Sequence, residues 1–373
     1  MWSLGIFKII TIMIKKTNLF CILPSYINHE GHEASFVQCY QKLKNNNVFF
    51  IVPKTNRVKN SPPFCKVLKN KKSDFYFTKI VQEILFFFLN ISSINKVIEQ
   101  KGKNQKNIVY LDGASIFILL SIFFLHNKKK IFFIYYIRSI YYKHTRDCLL
   151  FLIMKSFRFF FYKFKIVTDS LKLKKYIEKK ITEKLTVLPI PHTNFKKITK
   201  FTNFSKINIF CPGAFRKDKY GNNFNLFLKK NDDVKYNLIV SKNFINKNKK
   251  TKTTYFNNLD KQNYFKTFAK SDFVLLPYEK KEYSLKTSGI FVESIVFGKI
   301  PIVTAGTWMS EELSAYNLND LIVINWNDFE LSALIKKVKN NLFYKKFKNM
   351  QNIYYNLHNQ RNFINKFSEI VEK

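Results

Sequence analysis

At 373 residues the chain is longer than one compact core usually holds, so two domains are expected. Hydrophobic residues make up 46% and aromatics 17%, which supplies ample core and excludes wholesale disorder. The excess of 64 Lys+Arg over 25 Asp+Glu gives a formal charge of +39, which alone would suggest a polyanionic partner.

The cations are spread along the whole chain, and Lys, Asn, Ile and Phe abound while Gly and Pro number 9 each, as AT-rich coding produces. The charge is therefore discounted as a sign of nucleic-acid binding and read as affinity for phosphorylated ligands and anionic lipid. A nucleic-acid-binding protein using that charge with exposed aromatics is the least favoured reading, and no nucleic acid is expected as a partner. Cys21, Cys39, Cys65, Cys148 and Cys211 form no CxxC pair, which argues against a disulfide framework or zinc site and fits a reducing compartment. Residues 1–14 are apolar apart from Lys8 and polar Thr and Ser, with no small-residue cleavage site before Lys15-Lys16, and read as an N-terminal extension or surface anchor. Residues 116–125 and 149–164 fall short of the roughly eighteen apolar residues needed to span a bilayer.

In chain order, residues 19–23 read as a buried strand stopped by Pro24, a helical pattern runs from Glu33 through Phe36, Val37, Tyr40 and Leu43, and residues 48–52 form a second strand ending at Pro53. The loop of this βαβ opening lies where ligands bind in such sheets, at the carboxyl end of a strand. Gly31 permits close backbone approach there and His32 supplies a polar group; a turn glycine beside exposed histidines is the equal alternative. Neither GxGxxG nor GxxxxGK[ST] occurs, which removes the usual dinucleotide and P-loop assignments.

Residues 54–74 read as a loop, 75–98 as a long aromatic helix, 108–111 as a strand ending at Asp112-Gly113, 114–125 as a helix, and 131–137 as a strand with Arg138 just beyond it. Residues 149–162 set Lys155 and Arg158 among Phe, Leu and Ile, a pattern suited to a membrane interface or to a buried helix with snorkelling lysines. A strand at 166–168 ends at Asp169-Ser170, and 185–188 leads into PIPH, the exit from a first doubly wound α/β domain towards a polar linker, 192–205.

A second alternation follows, with strands at 207–210, 236–240 and 273–276, one starting at Ile302, and a last at 321–324. Residues 241–253 read as a Lys/Asn-rich loop, and helices fall near 224–228, 259–269, 331–338 and from Leu342 onwards. The segment CPGAFRKDKYG places Arg216 and Lys219 beyond Gly213, a planar fork and a point charge suited to a diphosphate. Ser288-Gly289 opens a short helix closed by Gly298, with Glu293 its only charge. An unpaired buried carboxylate is costly, so Glu293 either meets a partner, such as a neighbouring lysine, or lies at a pocket. Asp272 and Tyr278 bracket the 273–276 strand, where capping and packing explain them alone.

Taken together, PGAFRKDKYG (212–221), SDFVLLPY (271–278), SGIFVESIVFGKIPIV (288–303) and the GHE of 31–33 resemble GT-B glycosyltransferases of the retaining, glycogen-synthase-like superfamily, family 4 and its relatives. The resemblance implies an α/β fold of two doubly wound Rossmann-like domains facing across a cleft. Residues 1–190 would form the acceptor side, 206–355 the nucleotide-sugar side, and 356–373 a helix packing back on the first domain. It implies transfer of a sugar from a nucleotide diphosphate sugar to an acceptor hydroxyl, with retention and with neither cofactor nor metal. Arg216 and Lys219 match the catalytic basic pair that binds the donor diphosphate. Gly213, Ser288 and Gly289 match donor-binding positions, and Glu293 matches the later glutamate of a paired motif, which holds the ribose hydroxyls. Gly31 and His32 fall in the loop facing donor and acceptor, and Arg138 and His144 are the candidates for a further pocket residue. Leu285 stands eight residues before Glu293, where the motif has a sugar-contacting glutamate. That departure keeps alive the alternative of a catalytically silent GT-B relative acting as partner or scaffold. The setting implied is cell-envelope polysaccharide or lipopolysaccharide synthesis, in a cytoplasmic protein peripheral on the inner face of the membrane. Its partners would be a glycan or lipid-linked acceptor and an anionic membrane surface.

Overall fold

The computed structural model describes residues 17–23, 32–43, 46–53, 63–64, 95, 97–99, 106–112, 119–120, 131–138, 140, 144–160, 163–191, 207–213, 216–232, 234–241, 252–257 and 259–372. Gly31, residues 1–16, the linker 192–205 and most of 75–98 and 114–125 lie outside them.

The elements of the first half are β1 (Thr17–Ile22), α1 (His32–Tyr40), β2 (Asn46–Pro53), β3 (Pro63–Phe64), β4 (Lys106–Asp112), β5 (Ile131–Ile137), α2 (His144–Phe160), β6 (Phe164–Thr168), α3 (Leu171–Ile181) and β7 (Thr186–Val187). Their strands pair in the order β3-β2-β1-β4-β5-β6-β7, with β1 parallel to both β2 and β4. Apart from Lys106, every residue of β1, β4 and β5 is buried. Central strands of a parallel sheet are covered on both faces, which is why these segments read as near-continuous apolar runs. In α3, Ser170 caps the first turn by accepting from the Leu173 amide at 3.3 Å. Leu173, Ile177 and Ile181 recur every four residues and form its buried stripe. Helix α2 buries Phe151 and Met154, whereas Leu149 and Leu152 are 48% and 61% exposed.

The second half contains β8 (Asn208–Cys211), α4 (Lys217–Tyr220), α5 (Asn223–Lys230), β9 (Asn237–Ser241), β10 (Lys252–Phe256), α6 (Lys261–Lys270), β11 (Phe273–Leu276), α7 (Lys280–Tyr283), α8 (Gly289–Val296), β12 (Ile300–Thr304), α9 (Trp308–Ala315), β13 (Ile322–Val323), α10 (Leu331–Val338), α11 (Asn341–Leu357) and α12 (Gln360–Glu372). The sheet order is β10-β9-β8-β11-β12-β13, parallel throughout. The expected pair of doubly wound α/β sheets is therefore present, each with its strand order reversing beside its first strand.

Three readings are corrected. The stretch 54–74 holds the short strand β3, and the end of the Lys/Asn-rich loop is the edge strand β10. Strand β12 starts at Ile300, so Pro301 lies inside a strand that has neighbours on both sides. Its missing N–H is tolerated for a geometric reason. The Ile300 amide bonds the Asp272 carbonyl at 3.0 Å on the β11 side, so the next nitrogen faces the other way, and there β13 begins pairing only at Val303.

Each sheet carries a ladder of polar side chains at the amino ends of its three central strands. Asn47 donates to Asn18 and Asn18 to Asn107, both at 3.1 Å, across β2, β1 and β4. In the second sheet Asn237 donates to Asn208 at 2.8 Å, and the carboxylate of Asp272, next to β11, accepts from the Asn208 backbone amide at 2.7 Å. Asn18, Asn107 and Asp272 are buried, and buried polar groups are retained when bonded. Asn231 serves the second sheet's periphery similarly, donating to the Phe227 and Phe329 carbonyls and accepting from the Leu331 amide that opens α10.

The chain divides into two compact units. One comprises Tyr40–Tyr136 with Met1–His29 and Ser156–Lys165, and the other Ile166–Lys373 with Glu30–Cys39 and Ile137–Lys155. Within the larger unit, Phe363 of α12 packs edge-on against Phe36 at 5.3 Å, and the buried His358 ring nitrogen lies 2.9 Å from the Ile190 carbonyl. Among the described residues no helix is long and apolar enough to cross a membrane.

Candidate active site

In an open parallel sheet, loops leaving the carboxyl ends of the strands at the order reversal run to opposite faces and leave a crevice. In the second sheet that point lies between β8 and β11, neighbours through Ile209 and Phe273. The two loops leaving it are the two segments singled out by sequence.

After β8 the chain passes Pro212 to Gly213, whose φ of +94° suits glycine. Arg216 then stands exposed in extended conformation at the start of α4. One turn on, Lys219 is buried. Its ammonium sits 4.2 Å from the centroid of the Tyr278 ring and 5.0 Å from that of Tyr220. Tyr220 is fixed by donating its hydroxyl to the Pro212 carbonyl at 3.1 Å. The Glu279 amide donates to the Lys219 carbonyl at 2.8 Å, joining the two loops through their backbones.

After β11 come Pro277, Tyr278 and α7, then the approach to α8. Ser288 is the cap of that helix, its hydroxyl accepting from the Phe291 amide at 3.3 Å. Just before it, Thr287 donates to the carboxylate of Asp169, which follows β6. The remaining amides of the first turn of α8 and its dipole favour an anion. A Cβ placed on Gly213 would lie 3.5 Å from the Lys219 ammonium and 3.8 Å from Ile290 in that first turn. The cation and the Ile290 side chain that projects from the helix start thus both close on this glycine.

Glu293 lies one turn further along α8 and is partly exposed. Its partner is the Tyr264 hydroxyl of α6, donating at 2.6 Å, in place of the lysine that sequence offered as an alternative. Burial pushes the carboxyl up from 4.5 to about 7, against a smaller lowering by the Tyr264 bond. Burial likewise raises the Tyr278 phenol well above its usual value, with Ser288 and Tyr220 pulling weakly the other way. Burial also pushes the Cys211 thiol up to about 12, although Lys219 works in the opposite sense, so Cys211 is no nucleophile near neutral pH.

Of the residues expected from sequence, Gly213, Lys219, Ser288 and Gly289 come together at the crevice, with Arg216 and Glu293 on its two flanking elements. Asp272 belongs to the opposite end of β11 and holds strands. Leu285 is buried, so its side chain offers no group to a ligand. His32 and His144 open α1 and α2, and Arg138 follows β5 with its guanidinium 5.9 Å from the Phe36 ring; none belongs to the β8 and β11 loops. Gly31 lies outside the described residues. Sequence reasoning missed Tyr264 and Asp169, and it read Tyr278 as packing.

No protein-family model and no curated protein matches the chain. Solved structures do. The chain is similar to the N-terminal domain of trehalose-6-phosphate phosphatase from Candida albicans, with a TM-score of 0.65 and 11% identity over 96% of this chain and 97% of that one. A putative UDP-N-acetylglucosamine 2-epimerase from Listeria monocytogenes gives 0.56 and 12%, covering 96% of each chain. The glycosyltransferase SnogD from Streptomyces nogalater gives 0.55 and 7%, covering 95% of this chain and 100% of that one. At such identities the likeness shows the fold, and that fold is the GT-B fold of glycosyltransferases.

Proposed function

We propose that the chain is a glycosyltransferase that moves a sugar from a nucleotide diphosphate sugar to an acceptor hydroxyl with retention, in assembly of a cell-envelope glycan. The observation that carries this reading is that the Lys219 ammonium and the Ile290 side chain, from the first turn of α8, both close on Gly213. A cation and a helix N-terminus converging beyond the strand ends are what a diphosphate requires. In this reading Arg216 and Lys219 hold the diphosphate and offset the charge that develops as it departs, and Glu293 accepts from the ribose hydroxyls. Retention rests on the resemblance of the 212–303 motifs alone. With Leu285 buried, the sugar hydroxyls take their contacts from residues outside the paired motif.

Binding is the first test. A ligand at a hundredfold excess over Kd stabilises a fold by about 2.7 kcal/mol. UDP, GDP or ADP at millimolar concentration is therefore expected to raise Tm by several degrees, and Arg216→Ala to remove about half of that rise. If all three nucleotides leave Tm unchanged, the proposal fails.

The acceptor is placed at an anionic membrane surface. Helix α2 supports this part, because Leu149, Leu152 and Lys155 are all exposed, at a spacing that puts them on one side of the helix. Apolar side chains followed by a cation suit the interface of an anionic bilayer. The protein should sediment with phosphatidylglycerol vesicles at low salt and less so at high salt, and Leu152→Glu should weaken the association. Sedimentation that ignores both salt and the substitution would dismiss it.

A further inference from the structure

Lys219 has a four-carbon stem with large rotamer freedom, yet its ammonium is buried between two loops. Two tyrosine rings account for its place. The ammonium lies 4.2 Å from the Tyr278 centroid and 5.0 Å from that of Tyr220. The rings are perpendicular to each other at 5.3 Å, and Tyr283 braces Tyr278 from another direction at 4.5 Å. Both phenols are nearly inaccessible, at 0% and 1% exposure. The bond from the Glu279 amide to the Lys219 carbonyl ties the backbone beside Tyr278 to that of the lysine. Ring and ammonium are thereby fixed to one frame.

We propose that Tyr278, supported by Tyr220, is a positioning residue whose ring face holds the Lys219 ammonium against Gly213. The inference rests on the reading of this crevice as a diphosphate site. A ring face attracts a cation through its quadrupole and carries no formal charge. The ring therefore holds the ammonium and strips part of its water without adding a charge of its own. A carboxylate in the same position would fix the lysine and largely cancel its field. The ring restrains where the charge sits, so an incoming diphosphate does not have to order a long side chain.

The experiment replaces Tyr278 by Phe and then by mono-, di- and trifluorophenylalanine, a series that keeps shape and weakens the ring quadrupole stepwise. UDP, GDP and ADP affinities are measured for each variant, with the corresponding nucleosides as controls. Tyr278→Phe should retain most of the affinity. Fluorination should lower diphosphate affinity in steps to roughly tenfold in total, while leaving nucleoside affinity unchanged. In a Lys219→Ala background the same series should have no effect, because the cation it acts on is gone. Equal losses with and without Lys219, or equal losses for nucleoside and diphosphate, would show that Tyr278 serves packing only and overturn the inference while leaving the site's assignment intact. If the unsubstituted protein binds none of the three diphosphates, the assignment itself fails and takes the inference with it.

Discussion

Glu293→Gln should make the protein more stable above pH 7 and a poorer binder of nucleotides. The carboxyl ordinarily titrates at 4.5 and is pushed up to about 7 in the folded chain, chiefly by burial. Between those values the folded state holds a proton that the unfolded state has released, so stability falls as pH rises through the window. The penalty is complete above the folded value and absent below the unfolded one. At about 1.4 kcal/mol per tenfold in proton affinity, the loss has an upper bound of about 3.5 kcal/mol, and the partial exposure of Glu293 brings it nearer about 1–2 kcal/mol. Glutamine keeps the shape and an acceptor for Tyr264 without the charge. Urea denaturation at about pH 5 and about pH 8 should show a pH-dependent loss for the unsubstituted protein and a flatter response for the variant. The functional half has the opposite sign. A ribose hydroxyl bonded to a carboxylate is worth about 1.5–3 kcal/mol, so nucleotide affinity should fall about tenfold or more in the variant. In the unsubstituted protein it should weaken as pH drops through 7. A variant that binds UDP, GDP and ADP as tightly as its parent would remove Glu293 from the site.

Lys219→Ala should lower turnover by about 10²–10³-fold with a smaller change in the donor KM, since its charge matters most when the diphosphate departs. Lys219→Arg is expected to rescue little: the guanidinium is bulkier than an ammonium, and the buried place between two mutually perpendicular rings and Gly213 is shaped by the smaller group. Arg216 is exposed, and its charge is screened by water. Alanine there should cost nearer tenfold, mostly in KM. Initial rates of nucleotide release across a donor titration separate turnover from KM for both variants, and equal effects of the two alanines would contradict the division of labour.

The strand plan was legible because central parallel strands must be apolar on both faces, as in 131–137 and 273–276. The segments that flank the crevice were legible because Gly213 and Ser288-Gly289 have few uses other than tight backbone turns and helix starts. What sequence did not reveal depends on partners distant along the chain. Lys252–Phe256 becomes a strand because β9 offers it an edge, and Pro301 is tolerated because β13 begins two residues too late to require its N–H. Tyr264 meets Glu293 across 29 residues, and Tyr278 meets Lys219 across two loops. A tyrosine that will sit under a cation looks, in a sequence this aromatic, like any other core residue.

The polar ladders at the amino ends of the central strands divide each sheet into two regimes. A one-residue slip would break the Asn47-Asn18-Asn107 chain in one sheet and the Asn237-Asn208-Asp272 chain in the other, so each sheet's alignment is fixed at the end remote from the crevice. The loops at the carboxyl ends are relieved of that duty. They are free to lengthen or exchange residues without putting strand pairing at risk.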